Sequence, residues 1–359
     1  MQLNAEHPLN DGRTRHSNLV RSLRGERTSP LPVWFMRQAG RSLPEYREIR
    51  ANVSMLDSCL TPDLVVEITM QPVRRHGVDA AILFSDIVIP LRLAGLEVEI
   101  AAGIGPQIAN PITTRLAFEE LGVLSEEALE PIRTSVERLV EQLGETPLIG
   151  FGGAPFTLAS YLIEGGPSKD LPESRRLMAE DPELWSDILS WCAKITAQFI
   201  RAQVISGASA LQVFDSWAGK LSHDDYVTFA APHTKTLFDE LKDLTDDSGI
   251  AVPRIHFGVG TKAIHKEMMA VGATVLGVDY LTSLADTAAE FDFQLPLQGN
   301  INPDFLDKDF EELKAHTKSV IDEGKKAPGH VVNLGHGVPK DTDPTVLTKL
   351  VEYVHQITS

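Results

Sequence analysis

Eight short apolar runs recur along the chain, each stopped by glycine or a polar residue: 33–36, 80–84, 148–151, 211–214, 254–257, 274–278, 295–297 and 331–334. Runs this short, with little alternation between apolar and polar positions, suit strands buried on both faces of a parallel sheet. Helical signals lie between them. Thr61-Pro62-Asp63 opens a helix that Gly77 closes, Ser125-Glu126-Glu127 opens one ending by Gly144, and Asp181-Pro182-Glu183 starts a long one reaching Gly207. Ser222 opens the next, with Pro232 a candidate kink. Residues 261–271, 283–291 and 302–323 follow, and Asp343-Pro344 begins the last. Strand and helix alternating eight times predict an α/β protein, a single (β/α)8 TIM barrel whose chemistry sits at the C-terminal strand ends.

A length of 359 residues alone would suggest two domains, but barrels of this size fold as one. Residues 17–359 are therefore expected to form the barrel. The polar stretch 1–16 lacks the apolar core of a secretion signal and reads as a disordered leader. Residues 91–111 break the rhythm. Leu96-Glu-Val-Glu-Ile100 alternates, and Gly103-Ile-Gly105-Pro106 reads as a turn, so a β-hairpin is expected after the second strand. Insertions on that face usually shape a binding cleft. No internal repeat of 20–50 residues is evident.

After the runs stand Arg37 and Arg41, then Ser85-Asp86, then Gly152 to Thr157 leading to Tyr161. Asp215-Ser216-Trp217, Gly258-Val-Gly260, Asp279-Tyr280, Gly299-Asn300 and Gly335-His336-Gly337 follow. In a barrel, Arg37, Arg41, Asp86, Tyr161, Ser216 and His336 can converge on one mouth. Guanidinium forks match carboxylates bidentately, so two cations, one anion and several donors suit an acidic ligand that also carries N–H groups. Each residue has a plainer reading. The arginines could pair on the surface with Glu45 and Glu48, and Asp86 could bond turn amides. Tyr161 could be core or surface, Ser216 a turn cap, and His336 an ordinary loop histidine. Asp215 could brace the barrel, and His256 reads as an interior histidine.

Charge narrows the ligand. The chain carries −17 overall, which argues against nucleic acid and anionic membranes as partners. Residues 1–50 nevertheless hold nine arginines against five acidic residues, and no lysine precedes Lys169. Such a chain can take a small polyanion at one focused site, although for Arg13 to Arg27 plain usage bias explains as much. No run reaches the ~18 apolar residues of a membrane span. Two cysteines, Cys59 and Cys192, imply no disulfide framework and fit a reducing cytoplasm.

Two rival functions have a sequence basis. Gly258-Val-Gly260 follows a strand and opens a helix, with Asp279 about 20 residues on, as in a dinucleotide fingerprint. Corrinoid- or folate-linked methyltransferases include similar barrels but use zinc held by His and Cys. No His-x-Cys pair exists here, so no metal site is expected.

The chain resembles the uroporphyrinogen decarboxylase family nearly end to end. The matching stretches are Pro32-Val-Trp-Phe-Met-Arg-Gln-Ala-Gly-Arg41 with Leu43-Pro-Glu-Tyr46, Phe84-Ser-Asp-Ile87, and Gly150-Phe-Gly-Gly-Ala-Pro-Phe-Thr-Leu158 to Tyr161 with Glu164-Gly165. Phe214-Asp-Ser-Trp-Ala-Gly219, Gln298-Gly-Asn300 and Asn333-Leu-Gly-His-Gly337 complete the set. Ser42 departs from it, standing where the family commonly carries tyrosine. The resemblance implies a cofactor-free, usually homodimeric barrel that removes carbon dioxide from the four acetates of a tetrapyrrole, uroporphyrinogen. Carried across by position, Arg37, Gln38, Ala39, Gly40 and Arg41 would bind acetate and propionate groups. Asp86 would accept the pyrrole N–H groups, and Tyr161, Ser216 and His336 would complete the carboxylate contacts. Asp86 and Arg37 are the expected catalytic residues.

Overall fold

The computed structural model describes residues 1–101 and 103–359. Seven parallel strands form one curled sheet in the order β1-β4-β5-β6-β7-β8-β9. They are β1 (Ala81–Ile82), β4 (Leu148–Gly153), β5 (Ala210–Phe214), β6 (Arg254–Phe257), β7 (Val275–Gly277), β8 (Leu297–Gln298) and β9 (His330–Val331). Two further strands, β2 (Val98–Ala101) and β3 (Gly105–Ile108), pair antiparallel after β1, with Val98 opposite Ile108. Residue 102, within the expected insertion, lies outside the described residues.

The closed eight-stranded barrel expected from the runs is corrected on one point. The first run, 33–36, forms no regular strand and joins the sheet only through a parallel bridge between Val33 and Val332. Side chains take the amides that a ladder would have used. Asp79 Oδ2 accepts from Val33 N–H (2.8 Å), Gln38 Oε1 from Phe35 N–H (3.0 Å) and Asn333 Oδ1 from Met36 N–H (3.0 Å). Pro32 has no amide to offer. Buried backbone donors must be satisfied somehow, and here a side-chain frame stands where an eighth strand's ladder would run. A polar relay crosses the interior as well: Trp34 Nε1 donates to Gln298 Oε1 (3.1 Å), and Gln298 Nε2 donates to Gln212 Oε1 (2.8 Å).

Register places the strand ends on one level. Gly153 pairs with Phe214, Phe214 with Phe257, Phe257 with Gly277, Gly277 with Gln298 and Gln298 with Val331. Neighbouring aromatics pack edge-on along this level, Phe151 on Phe214 (5.4 Å) and Phe214 on Phe257 (6.0 Å). They make an apolar floor beneath whatever the following loops carry.

Helix ends follow their capping chemistry. Gly77 closes the helix Pro62–His76 in the left-handed region, and Asp181 caps Pro182–Ile205 through the Leu184 amide. Two helical expectations change. The segment before Pro232 widens into a π-turn, Tyr226–Ala230, because proline cannot supply the next amide. The expected helix 302–323 divides into a 3-10 turn, Pro303–Asp307, and Phe310–Gly324, which has its own Asp309 cap.

The expectation of a disordered leader over 1–16 is also corrected. Leu3 and Leu9 are buried, Leu3 N–H donates to Thr245 O (2.9 Å), and His7 Nε2 meets Val204 O (2.9 Å). Arg15 and Arg24 both reach the buried Asp246 carboxylate. Scattered apolar residues in a polar stretch carry no periodic signal, so the sequence hid this docking.

Candidate active site

Arg37 turns the chain at the end of the first run. Its φ of +62° is one of four positive values among the described non-glycine residues. Such backbone costs ~1–3 kcal/mol and concentrates at functional sites. The turn lays the Arg37 side chain across Gly337: a Cβ at 337 would lie 2.5 Å from Arg37 Cδ. Gly40 is needed for the same loop, since a Cβ there would lie 2.9 Å from Arg37 O. The two glycine-containing loops therefore hold Arg37 beside His336.

Neither Arg37 nor Arg41 has a side-chain ion pair or hydrogen bond among the described residues, and both are exposed. The surface-pairing alternative fails, because Glu45 binds Arg75 instead, through two contacts of 2.6 and 2.7 Å. Other N-terminal arginines are engaged elsewhere: Arg13 with Asp11, Arg21 with Glu26, Arg24 with Asp246.

Asp86 follows Ile82 by four residues, as Gly153 follows Ile149, the partner of Ile82 in the sheet. Both lie at the C-terminal edge. Asp86 Oδ1 accepts the Val88 amide (3.1 Å), so the turn-bonding alternative accounts for one oxygen. Burial raises the carboxyl above its ordinary range, while the Val88 amide and the Arg37 guanidinium partly offset that. Tyr161 shares the field: burial raises its phenol, a contact with the Trp217 side chain lowers it, the Asp86 charge adds to the rise, and Arg37 opposes it. His336 is lowered by desolvation and by Arg37. Arg37 thus acts electrostatically on Asp86, Tyr161 and His336, and Asp86 acts on Tyr161.

The remaining candidates divide. Gln38 is fully buried, and its amide is taken up by Phe35 N–H and Ala80 O (3.0 Å each), so it supports the loop rather than lining the mouth. Ala39 and Gly40 are half-buried, and Ser216 is exposed. Arg41 and Ser216 stand outside the coupled group. Ser42 is buried, with its hydroxyl unpartnered. Asp215 is a brace: fully buried, it accepts from Thr157 Oγ1 (3.0 Å) and lies 3.4 Å from His256 Nε2. Asp279 is occupied too, accepting from the Gly260 amide, Leu281 N–H (3.1 Å) and Thr282 Oγ1 (3.0 Å). A dinucleotide fingerprint needs that acid free for a ribose, so the Gly258–Gly260 motif loses its nucleotide reading. Both cysteines are buried and free. Sequence reasoning passed over Trp217, which packs edge-on to Tyr161 at 6.0 Å; its place beside Ser216 was the available signal.

The model of the family described as uroporphyrinogen decarboxylase (URO-D) matches residues 14–357. The chain belongs to the uroporphyrinogen decarboxylase family. It is 52% identical to a uroporphyrinogen decarboxylase of Arthrobacter sp., covering 97% of this chain and 99% of the relative. It is 50% identical to one from Leifsonia xyli subsp. xyli, covering 98% of each. Among solved structures, a methyltransferase from Methanosarcina mazei superposes with a TM-score of 0.79 over 96% of this chain and 99% of its own. At 18% identity that likeness speaks for the fold alone. Uroporphyrinogen decarboxylases are carboxy-lyases.

Proposed function

We propose that the chain decarboxylates the four acetate side chains of uroporphyrinogen III to give coproporphyrinogen III, with Asp86 and Arg37 as its central groups. The observation that carries this reading is the shared mouth: a cation and a half-buried carboxylate coupled to each other, in a chain half identical to named uroporphyrinogen decarboxylases. The substrate presents eight carboxylates around four pyrrole N–H groups. Arg37 and Arg41, with the backbone of Ala39 and Gly40, grip the acidic rim. Asp86 keeps Oδ2 for the pyrrole nitrogens. Tyr161, Ser216 and His336 complete the carboxylate contacts.

Decarboxylation needs a place for the electron pair of the breaking carbon–carbon bond. Protonation of a pyrrole ring carbon provides one within the substrate. Carbon dioxide then leaves, the pair enters the ring system, and proton return yields a methyl group, so one proton is consumed per carboxylate lost. The protonated ring is cationic. A preorganised carboxylate beneath its nitrogens stabilises that charge as it develops. Arg37 serves as binder and electrostatic partner, since a guanidinium is too weak an acid to deliver the proton at neutral pH.

The fold around the mouth supports the assignment. Ile108 N–H donates to Gly165 O and Ile112 N–H to Leu162 O (2.9 Å each), so the segment after β3 docks on the helix carrying Tyr161. In this reading β2 and β3 are an insertion that walls the cleft, and residues 17–359 act as one catalytic domain. No described helix is long and apolar enough to cross a membrane. We place the enzyme in the cytoplasm, as a homodimer. Anaerobic incubation with uroporphyrinogen tests the function: a hepta- to tetracarboxyl product series with carbon dioxide release supports it. Tight binding without any product would make the chain a tetrapyrrole carrier.

A further inference from the structure

Trp217 holds a buried indole N–H whose contact is the Tyr161 phenol: it lowers that phenol, yet it falls short of full hydrogen-bond geometry and no other acceptor stands near among the described residues. Buried donors without partners are uncommon and call for an explanation. Its surroundings are fixed. The Trp217 backbone N–H donates to Thr157 Oγ1 (3.3 Å), and Thr157 Oγ1 donates to the fully buried Asp215 (3.0 Å). Thr157 and Tyr161 are four residues apart on the helix Pro155–Glu164, so they share a face. One anchors the Trp217 backbone, and the other meets its ring edge-on, with centroids 6.0 Å apart at 68°.

A phenol oxygen both donates and accepts. A carboxylate only accepts. For Tyr161 to serve a substrate carboxylate, its proton must point into the mouth, and something else must occupy its lone pairs. We propose that Trp217 is a positioning residue: its indole N–H tightens its contact with the Tyr161 oxygen into a full hydrogen bond when the cleft is occupied, turning the phenol proton toward a substrate carboxylate. This rests on the reading of Tyr161 as a carboxylate contact. Burial also raises the Tyr161 phenol, which keeps that proton in place at neutral pH.

Trp217→Phe keeps the ring and removes the donor. We expect kcat/KM to fall about ten-fold, the worth of one hydrogen bond. Tyr161→Phe should fall by at least as much, and the double variant should be no worse than Tyr161→Phe alone. In protein labelled with 15N at tryptophan, the Trp217 indole resonance should move downfield when coproporphyrinogen is added anaerobically, and should stay in place in Tyr161→Phe. A full ten-fold loss on adding Trp217→Phe to Tyr161→Phe would overturn the positioning role while leaving Tyr161 as a contact. So would an indole shift equal in both proteins. Wild-type kcat/KM in Tyr161→Phe would instead remove the Tyr161 reading itself, and the inference with it.

Discussion

Arg37 combines a left-handed backbone with a side chain laid over Gly337, and in the proposed function both features serve delivery of one guanidinium to the substrate. Arg37→Ala should lower kcat/KM by ~10²-fold or more, the scale for losing one partner of a desolvated ion pair. Arg176→Ala, which removes only exposed ion pairs, should leave it unchanged. Gly337→Ala tests geometry rather than charge. Its Cβ would displace Arg37, whose exposed side chain can yield, so activity should drop far more than the thermal midpoint. Asp86 makes the opposite case. Its carboxyl is raised by burial, so its charge costs stability at neutral pH, and that cost disappears as pH falls through the raised value. Asp86→Asn should therefore melt higher than wild type at pH 7, with the difference shrinking on acidification. Calorimetry across pH 4–8 reads both effects.

At the scale of elements, the first run depends on its side-chain frame. Asp79 accepts the Val33 amide (2.8 Å) and also holds His355 of the C-terminal helix Pro344–Thr358 at 2.7 Å. Asp79 raises the His355 imidazole above its ordinary value. The contribution is thus full below the ordinary imidazole pKa and is lost as pH rises through the raised one. His355→Gln should remove that slope and cost about 1 kcal/mol near pH 6, measured by urea unfolding. The sequence made strand runs legible because doubly buried strands read as unbroken apolar stretches, and helix ends legible because Asp181, Ser222, Ser283 and Asp343 cap as their types require. It could not show that run 33–36 lacks a ladder. That depends on where Asp79, Gln38 and Asn333 lie in space, the last 297 residues from Met36. For the same reason the sequence does not show that Gln38, adjacent to Arg37, turns its amide inward to Phe35 N–H and Ala80 O.

Across the whole molecule, the N-terminal segment is part of the packed body. Deleting residues 1–12 removes the buried Leu3 and Leu9, and at ~1.5–3 kcal/mol per leucine it should lower stability by about 3 kcal/mol or more. An unchanged melting midpoint would restore the disordered leader. The proposed mouth, meanwhile, is legible as residue types at strand ends, since register brings those ends to one level whatever their separation in sequence. Arg41 and Ser216 were less so, because an exposed side chain is placed by its ligand as much as by the fold. The central claim is that Asp86 stabilises positive charge on the pyrrole during decarboxylation. Its most direct measurement is anaerobic single-turnover decarboxylation of uroporphyrinogen by wild type and Asp86→Asn at saturating substrate. The account predicts a loss of ~10²–10³ in rate from a folded variant. A rate within a few-fold of wild type would contradict it.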